Sequence, residues 1–207
     1  MASGARIPWC AVALAILGIV TNTRWLAGAE AGEDPPGRAV FLAKGCAVCH
    51  EERAVLQAPH VSVLQKDRSL FELATGMWNH APMMWANLSE PALRWPRLSP
   101  REVAELARYL NGAAPPDPPP NLARGQLSLL EKGCLTCHPA RGQGQKTAKD
   151  LLRQIRFDSS EAWVAALWNH APTMLALQHE KRVSYPTFEG NDLADIIGSL
   201  RGSARPR

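Results

Sequence analysis

Apart from two short motifs, this chain has almost no cysteine. Of its five cysteines, Cys10 lies in an apolar run near the start, and the other four fall in Cys46-Ala-Val-Cys49-His50 and Cys134-Leu-Thr-Cys137-His138. No thiol is left over to build a disulfide framework. No run of alternating β-branched residues flanks either motif, which removes a thioredoxin-like dithiol beside a strand-helix-strand unit. The two pairs stand a whole domain apart, too far in sequence for a structural zinc site, which draws its second pair from within a few tens of residues. Excess charge of one sign is also scarce. The chain has 23 Lys and Arg against 19 Asp and Glu, and removing residues 1–29, which contain Arg6 and Arg24 and no acid, leaves 21 against 19. That balance gives no electrostatic footprint for nucleic acid. The apolar run Trp9 to Val20 has only 12 residues, whereas a bilayer core of about 30 Å needs about 20.

What remains at the start reads as an export signal. Arg6 supplies a basic beginning, Trp9 to Val20 the apolar stretch, and Ala27-Gly28-Ala29 a small-residue cleavage site. Residues 1–29 are therefore expected to be a signal peptide and the mature chain to be exported to the periplasm, with an uncleaved membrane anchor as the runner-up. Ile7-Pro8-Trp9 before Cys10 is unlike a lipoprotein cleavage box, so Cys10 is expected to leave with the signal.

The repeated CxxCH unit is the attachment signature of c-type heme. In that chemistry both thiols become thioethers to the porphyrin edge, and the following histidine binds iron as the proximal ligand. Cys46, Cys49, Cys134 and Cys137 are accordingly expected to hold two covalent heme c groups, with His50 and His138 on the irons. Four heme propionates would bring the mature protein near neutral to mildly acidic.

The repeat extends beyond these motifs. Trp78-Asn79-His80-Ala81-Pro82-Met83-Met84 returns as Trp168-Asn169-His170-Ala171-Pro172-Thr173-Met174 at an offset of 90, against 88 for the CxxCH units. The two extra residues of the second copy are expected in the loop around Ala140 to Lys149. Trp95-Pro96 and the helix Val103 to Leu110 match Tyr185-Pro186 and Leu193 to Leu200. The organisation read from this is a first domain over 30–112, a Pro-rich linker over 113–121 and a second domain over 122–207. The linker's six-residue Pro-rich part is expected to be extended polyproline II reaching roughly 19 Å, which would fix the inter-heme geometry.

Each half has only about 80 residues, a size at which a covalent heme would supply missing core. Every periodic segment is helical. Arg38 to Gly45 leads into the first CxxCH, and Ser69 to Trp78 carries Leu70, Leu73, Ala74 and Met77 on one side. Ser99-Pro100-Arg101-Glu102 reads as a capped helix start. Val103, Leu106, Ala107 and Leu110 follow as its buried stripe, and Leu193, Ile196, Ile197 and Leu200 play that part in the second copy.

These residues resemble class I c-type cytochromes: a CxxCH near the start of each domain, a methionine 34 to 36 residues after the heme histidine, and a closing amphipathic helix. The resemblance covers essentially all of the mature chain and implies an all-α fold of two tandem cytochrome c-like domains, each wrapped around its heme. It also implies a distal methionine, which carries over as Met84 opposite His50 and Met174 opposite His138. Of the methionines in this region, Met77 aligns with Leu167 and Met83 with Thr173, so only Met84 and Met174 form a matched pair. The WNHAPxM loop departs from the family's usual methionine loop. His80 and His170 also recur and compete for the distal position; the plainer reading has them ending a helix before Ala-Pro and bonding a carbonyl or a propionate. Trp78 and Trp168 are open between packing on porphyrin and packing on the final helix. Asn79 and Asn169 are open between orienting the distal ligand and capping. His60 and His179 have no counterparts and read as surface residues.

The function expected is electron transport by a diheme carrier between redox donor and acceptor proteins, a membrane oxidoreductase or terminal oxidase among them. An enzyme, either a diheme peroxidase or a sulfur-compound oxidoreductase, is the alternative, as is a heme subunit of a membrane complex. Six-coordinate iron in two nearly equal sites favours transport over chemistry.

Overall fold

The computed structural model describes residues 35–51, 58–88, 94–112, 114–140, 148–154 and 159–204. The export signal expected over 1–29, with Cys10, lies outside them. Among the described residues the fold is all-α, with no strand. The first repeat supplies α1 (Pro36–Ala43), α2 (Ala47–His50), α3 (Val61–Leu64), α4 (Leu70–Asn87) and α5 (Pro100–Asn111). The second supplies α6 (Leu122–Glu131), a 3-10 turn at Cys134–Thr136, α7 (Leu151–Gln154), α8 (Ser160–Lys181) and α9 (Asp192–Ala204). Residues 114–121 between them carry no helix, as five prolines in that stretch require.

Local signals set most helix starts. Ser69 and Ser99 form full capping boxes with Glu72 and Glu102, and the Ser159 and Asn121 side chains accept from the third residue of α8 and α6. Linker residue Asp117 adds a further cap, accepting from the Phe71 N–H of α4 at 2.8 Å. Each repeat then crosses its first helix over its last, α1 on α5 and α6 on α9. The crossings are close because each has a glycine at its contact point. A Cβ at Gly37 would overlap the Glu105 carbonyl oxygen, and one at Gly125 the Asp195 carbonyl oxygen. The expected stripes lie inside: Val103, Leu106 and Leu110 are buried with Ala107 packed beside them, and Leu193, Ile196, Ile197 and Leu200 are buried.

α4 and α8 run on past the point where a proline was expected to end them. α4 continues through Pro82 to Asn87 and α8 through Pro172 to Lys181, so His80 and His170 sit within helices rather than at their ends. Interior proline removes one N–H and leaves the carbonyl four residues earlier without its helical partner. In α8 that carbonyl belongs to Trp168, and the Trp95 indole N–H, from the other repeat, donates to it at 3.2 Å.

This bond belongs to a reciprocal exchange. α4 packs on α8, and residues 35–207 form one compact unit. The Trp78 indole donates to the Pro186 carbonyl and the Trp168 indole to the Pro96 carbonyl, each at 2.7 Å. The Asn79 amide bonds both backbone groups of Phe188, at 2.8 and 3.0 Å, and Asn169 does the same with Leu98, at 2.7 and 2.9 Å. Trp78 stacks on Tyr185 with ring centres 4.6 Å apart, and Trp168 lies 4.4 Å from Trp95. Each repeat's Trp-Asn pair thus grips the aromatic-proline segment of the other.

Candidate heme-binding sites

The two CxxCH segments are single helical turns. His50 N–H donates to the Cys46 carbonyl at 2.9 Å and His138 N–H to the Cys134 carbonyl at 3.0 Å. In each motif the second cysteine and the histidine follow the first cysteine by three and four residues, about one turn. Gly45 and Gly133 start the turns at φ +76° and +71°, a left-handed backbone that suits glycine. None of the four cysteines is in a disulfide, and burial pushes the Cys46 and Cys134 thiols up to about 11.

The lysine before each of these glycines ties the turn to the last helix of its repeat. Lys44 Nζ reaches Glu102 Oε1 at 2.8 Å and the Arg97 carbonyl at 2.7 Å; Lys132 Nζ reaches Asp192 Oδ2 at 2.9 Å. Glu102 and Asp192 occupy matching positions at the 90-residue offset. Burial opposes ionisation of Asp192. Hydrogen bonds from Lys132 and the Glu189 N–H, with the Lys132 charge and Arg124, outweigh burial and hold it below the usual carboxylate value. A depressed folded value stabilises the fold above the unfolded pKa of about 3.9 and loses that effect as pH falls through the folded value. Asp192→Asn is therefore expected to be less stable than the parent at pH 7, with a gap that closes below about pH 4. Urea unfolding across a pH series measures this, and a gap unchanged into acid would contradict the linkage.

The heme-motif histidines are held alike. His50 Nδ1 hydrogen-bonds the Pro59 carbonyl and His138 Nδ1 the Lys149 carbonyl, both at 2.9 Å. Bonding to a carbonyl puts the proton on Nδ1 and leaves Nε2 unprotonated, its lone pair available to a metal, the arrangement usual for a metal-binding imidazole. Pro59 and Lys149 correspond at an offset of 90, so the two extra residues of the second copy lie between His138 and Lys149, where the sequence places them.

The side chain facing each of these imidazoles is a histidine. The His80 ring centre is 5.9 Å from that of His50 at an interplanar angle of 63°, and His170 is 5.9 Å from His138 at 73°. Burial, then the neighbouring imidazole, pushes His80 and His170 below the ordinary histidine value, towards the neutral form that binds metals. Met84 and Met174 are half-buried against the core, one helical turn beyond these histidines. Trp78, Trp168, Asn79 and Asn169 serve the contact between repeats. His60 caps α3, accepting from the Ser62 N–H at 3.2 Å. His179 is exposed at the rim of a cleft of about 570 Å³ beside Pro82, Trp85 and Tyr185, which no CxxCH residue lines.

Among the described residues no three His, Cys, Asp or Glu side chains come together as a metal cage, and no helix is long and apolar enough to cross a membrane. Each site instead offers two thiols, one oriented imidazole and a second imidazole opposite, a donor set that suits a macrocycle supplying the equatorial nitrogens. Comparison with family models, with curated proteins and with solved structures finds no match to this chain.

Proposed function

We propose that this chain is an exported, periplasmic diheme c-type cytochrome, built from two class I-like modules, that carries electrons between redox proteins. A membrane oxidoreductase or terminal oxidase is a fitting donor or acceptor. Heme supplies reversible one-electron chemistry when bound. The chain's own part is to attach and orient it. Cys46, Cys49, Cys134 and Cys137 would hold it as thioethers, each S–H adding across a porphyrin vinyl group with sulfur to one carbon and hydrogen to the other. His50 and His138 would supply Nε2 to the iron, each ring being fixed by its Nδ1 bond to the Pro59 or Lys149 carbonyl.

The observation that carries the reading is the near-identity of the two sites. Both have a CxxCH turn, a carbonyl-bound histidine, a lysine anchor to the closing helix and a second imidazole at the same separation. A peroxidase that divides labour between an electron-feeding and an open heme would need its sites to differ; here neither is distinguished as the open one.

Intact mass of the exported protein is expected to give a chain beginning at Glu30 with two covalent hemes. The reduced protein is expected to pass electrons quickly to an oxidised partner and to bind carbon monoxide poorly at neutral pH. A mass with one heme or none, or steady-state peroxidase turnover on the order of 1 per second or faster, would overturn the reading.

A further inference from the structure

We infer that His80 and His170, not Met84 and Met174, are the sixth ligands, so that both hemes are bis-histidine; this rests on the two-heme reading above. An iron with an imidazole nitrogen about 2.0 Å away on each face puts the two ring centres about 6 Å apart. The His50–His80 and His138–His170 separations are both 5.9 Å. An edge-to-face ring contact falls in the same range, so the distance alone does not decide. The repetition does more: the second repeat has two extra residues between His138 and Lys149, yet the opposing rings return to the same separation. Chance packing has no reason to restore it.

Helix geometry then weighs against the methionines. His80 and Met84 are four residues apart on α4, as are His170 and Met174 on α8, and both helices are continuous through the intervening proline. Four residues advance about 6 Å along the axis. The residue facing the heme-motif imidazole is the histidine, which leaves the methionine a turn away from the line joining the two rings. Each iron has one distal position, and the imidazole stands in it.

Replacing thioether by imidazole lowers the reduction potential, so the two hemes belong below the potentials that His/Met ligation would give. The test is the ligation spectrum of the ferric, heme-loaded protein. The expected result is low-spin iron with near-infrared charge-transfer bands at bis-imidazole energies and no methionine-to-iron band in the far red. Met84→Leu and Met174→Leu are expected to leave this spectrum unchanged. His80→Ala is expected to turn about half of the heme high-spin, and His80→Met to raise the potential of one heme only in a redox titration. A methionine-to-iron band in the parent, diminished by Met84→Leu, would overturn the inference, and the parent spectrum decides the matter even where a variant fails to fold. A purified chain carrying no covalent heme would instead overturn the reading on which it rests.

Discussion

Trp78→Ala is expected to destabilise the two repeats together, by about 3–5 kcal/mol, and to leave a single unfolding transition. Trp78 is among the most buried side chains, at 2% exposure, and its contacts are with the other half of the chain: Tyr185 stacked at 4.6 Å, Phe188 at 5.6 Å and the Pro186 carbonyl at 2.7 Å. Truncation opens a cavity at the centre of the unit and strands a carbonyl, and both losses fall on the contact between repeats. Asn79→Ala is expected to follow in the same direction at about 1–3 kcal/mol, since it leaves both backbone groups of Phe188 without their partner. Urea unfolding followed by tryptophan fluorescence and by far-ultraviolet dichroism measures this. Two separated transitions in the parent, or a Trp78→Ala variant in which only the first repeat loses stability, would show that the halves do not unfold as one.

That contact was the least legible part of the sequence, for a specific reason. In a duplicated chain each Trp-Asn pair has two equivalent partners, one in its own repeat and one in the other. Trp78 on Pro96 and Trp78 on Pro186 satisfy the same pattern of residues. Only the fold breaks the tie, and it exchanges the pairs. The same degeneracy hid the length of α4 and α8. A proline at 82 or 172 reads locally as a stop, because the carbonyl that loses its helical partner must find another; at Trp168 that partner is the Trp95 indole of the other repeat. By contrast, what depends on neighbours in sequence was plain. The Ser99 and Glu102 capping box, the Val103, Leu106 and Leu110 stripe and the position of the two-residue insertion each follow from local chemistry or from a change in repeat offset. The role of Lys44 and Lys132 before the CxxCH turns has no local sign, since the carboxylate each binds lies more than 50 residues away.

The first repeat shows how tightly α4 is integrated into this arrangement. It starts on a capping box and a linker carboxylate, presents Trp78 and Asn79 to the other repeat, and presents His80 to His50 one residue later. Side chains that lock the repeats together and the imidazole that faces the heme motif are thus adjacent on one rigid element. α8 repeats the arrangement with Trp168, Asn169 and His170. The relation between the two His pairs therefore rests on these two helices.

Gly125→Ala is expected to reverse the usual sign of a glycine-to-alanine change within a helix. On intrinsic preference alone, alanine stabilises a helix interior over glycine by about 0.8–1.0 kcal/mol. At Gly125 the added Cβ would overlap the Asp195 carbonyl and its neighbours, all of them backbone atoms of α9 that cannot turn aside. The crossing must open, and overpacking of this kind costs about 1–3 kcal/mol, occasionally more. The displacement also reaches the heme motif, because α9 begins at Asp192, the anchor of Lys132 two residues before Cys134. Gly37→Ala is expected to act alike in the first repeat, where the obstacle is the Glu105 carbonyl of α5. Gly76→Ala supplies the contrast: Gly76 is exposed within α4, and the nearest atom to an added Cβ is a flexible Arg68 nitrogen at 3.8 Å, so the ordinary gain of up to about 1 kcal/mol is expected. Thermal unfolding of the three variants reads the comparison directly. At about 2–4 °C per kcal/mol for a chain of this size, Gly125→Ala and Gly37→Ala should melt several degrees below the parent and Gly76→Ala slightly above it. Melting of Gly125→Ala at or above the parent temperature would mean that α6 and α9 do not approach as closely as the crossing requires.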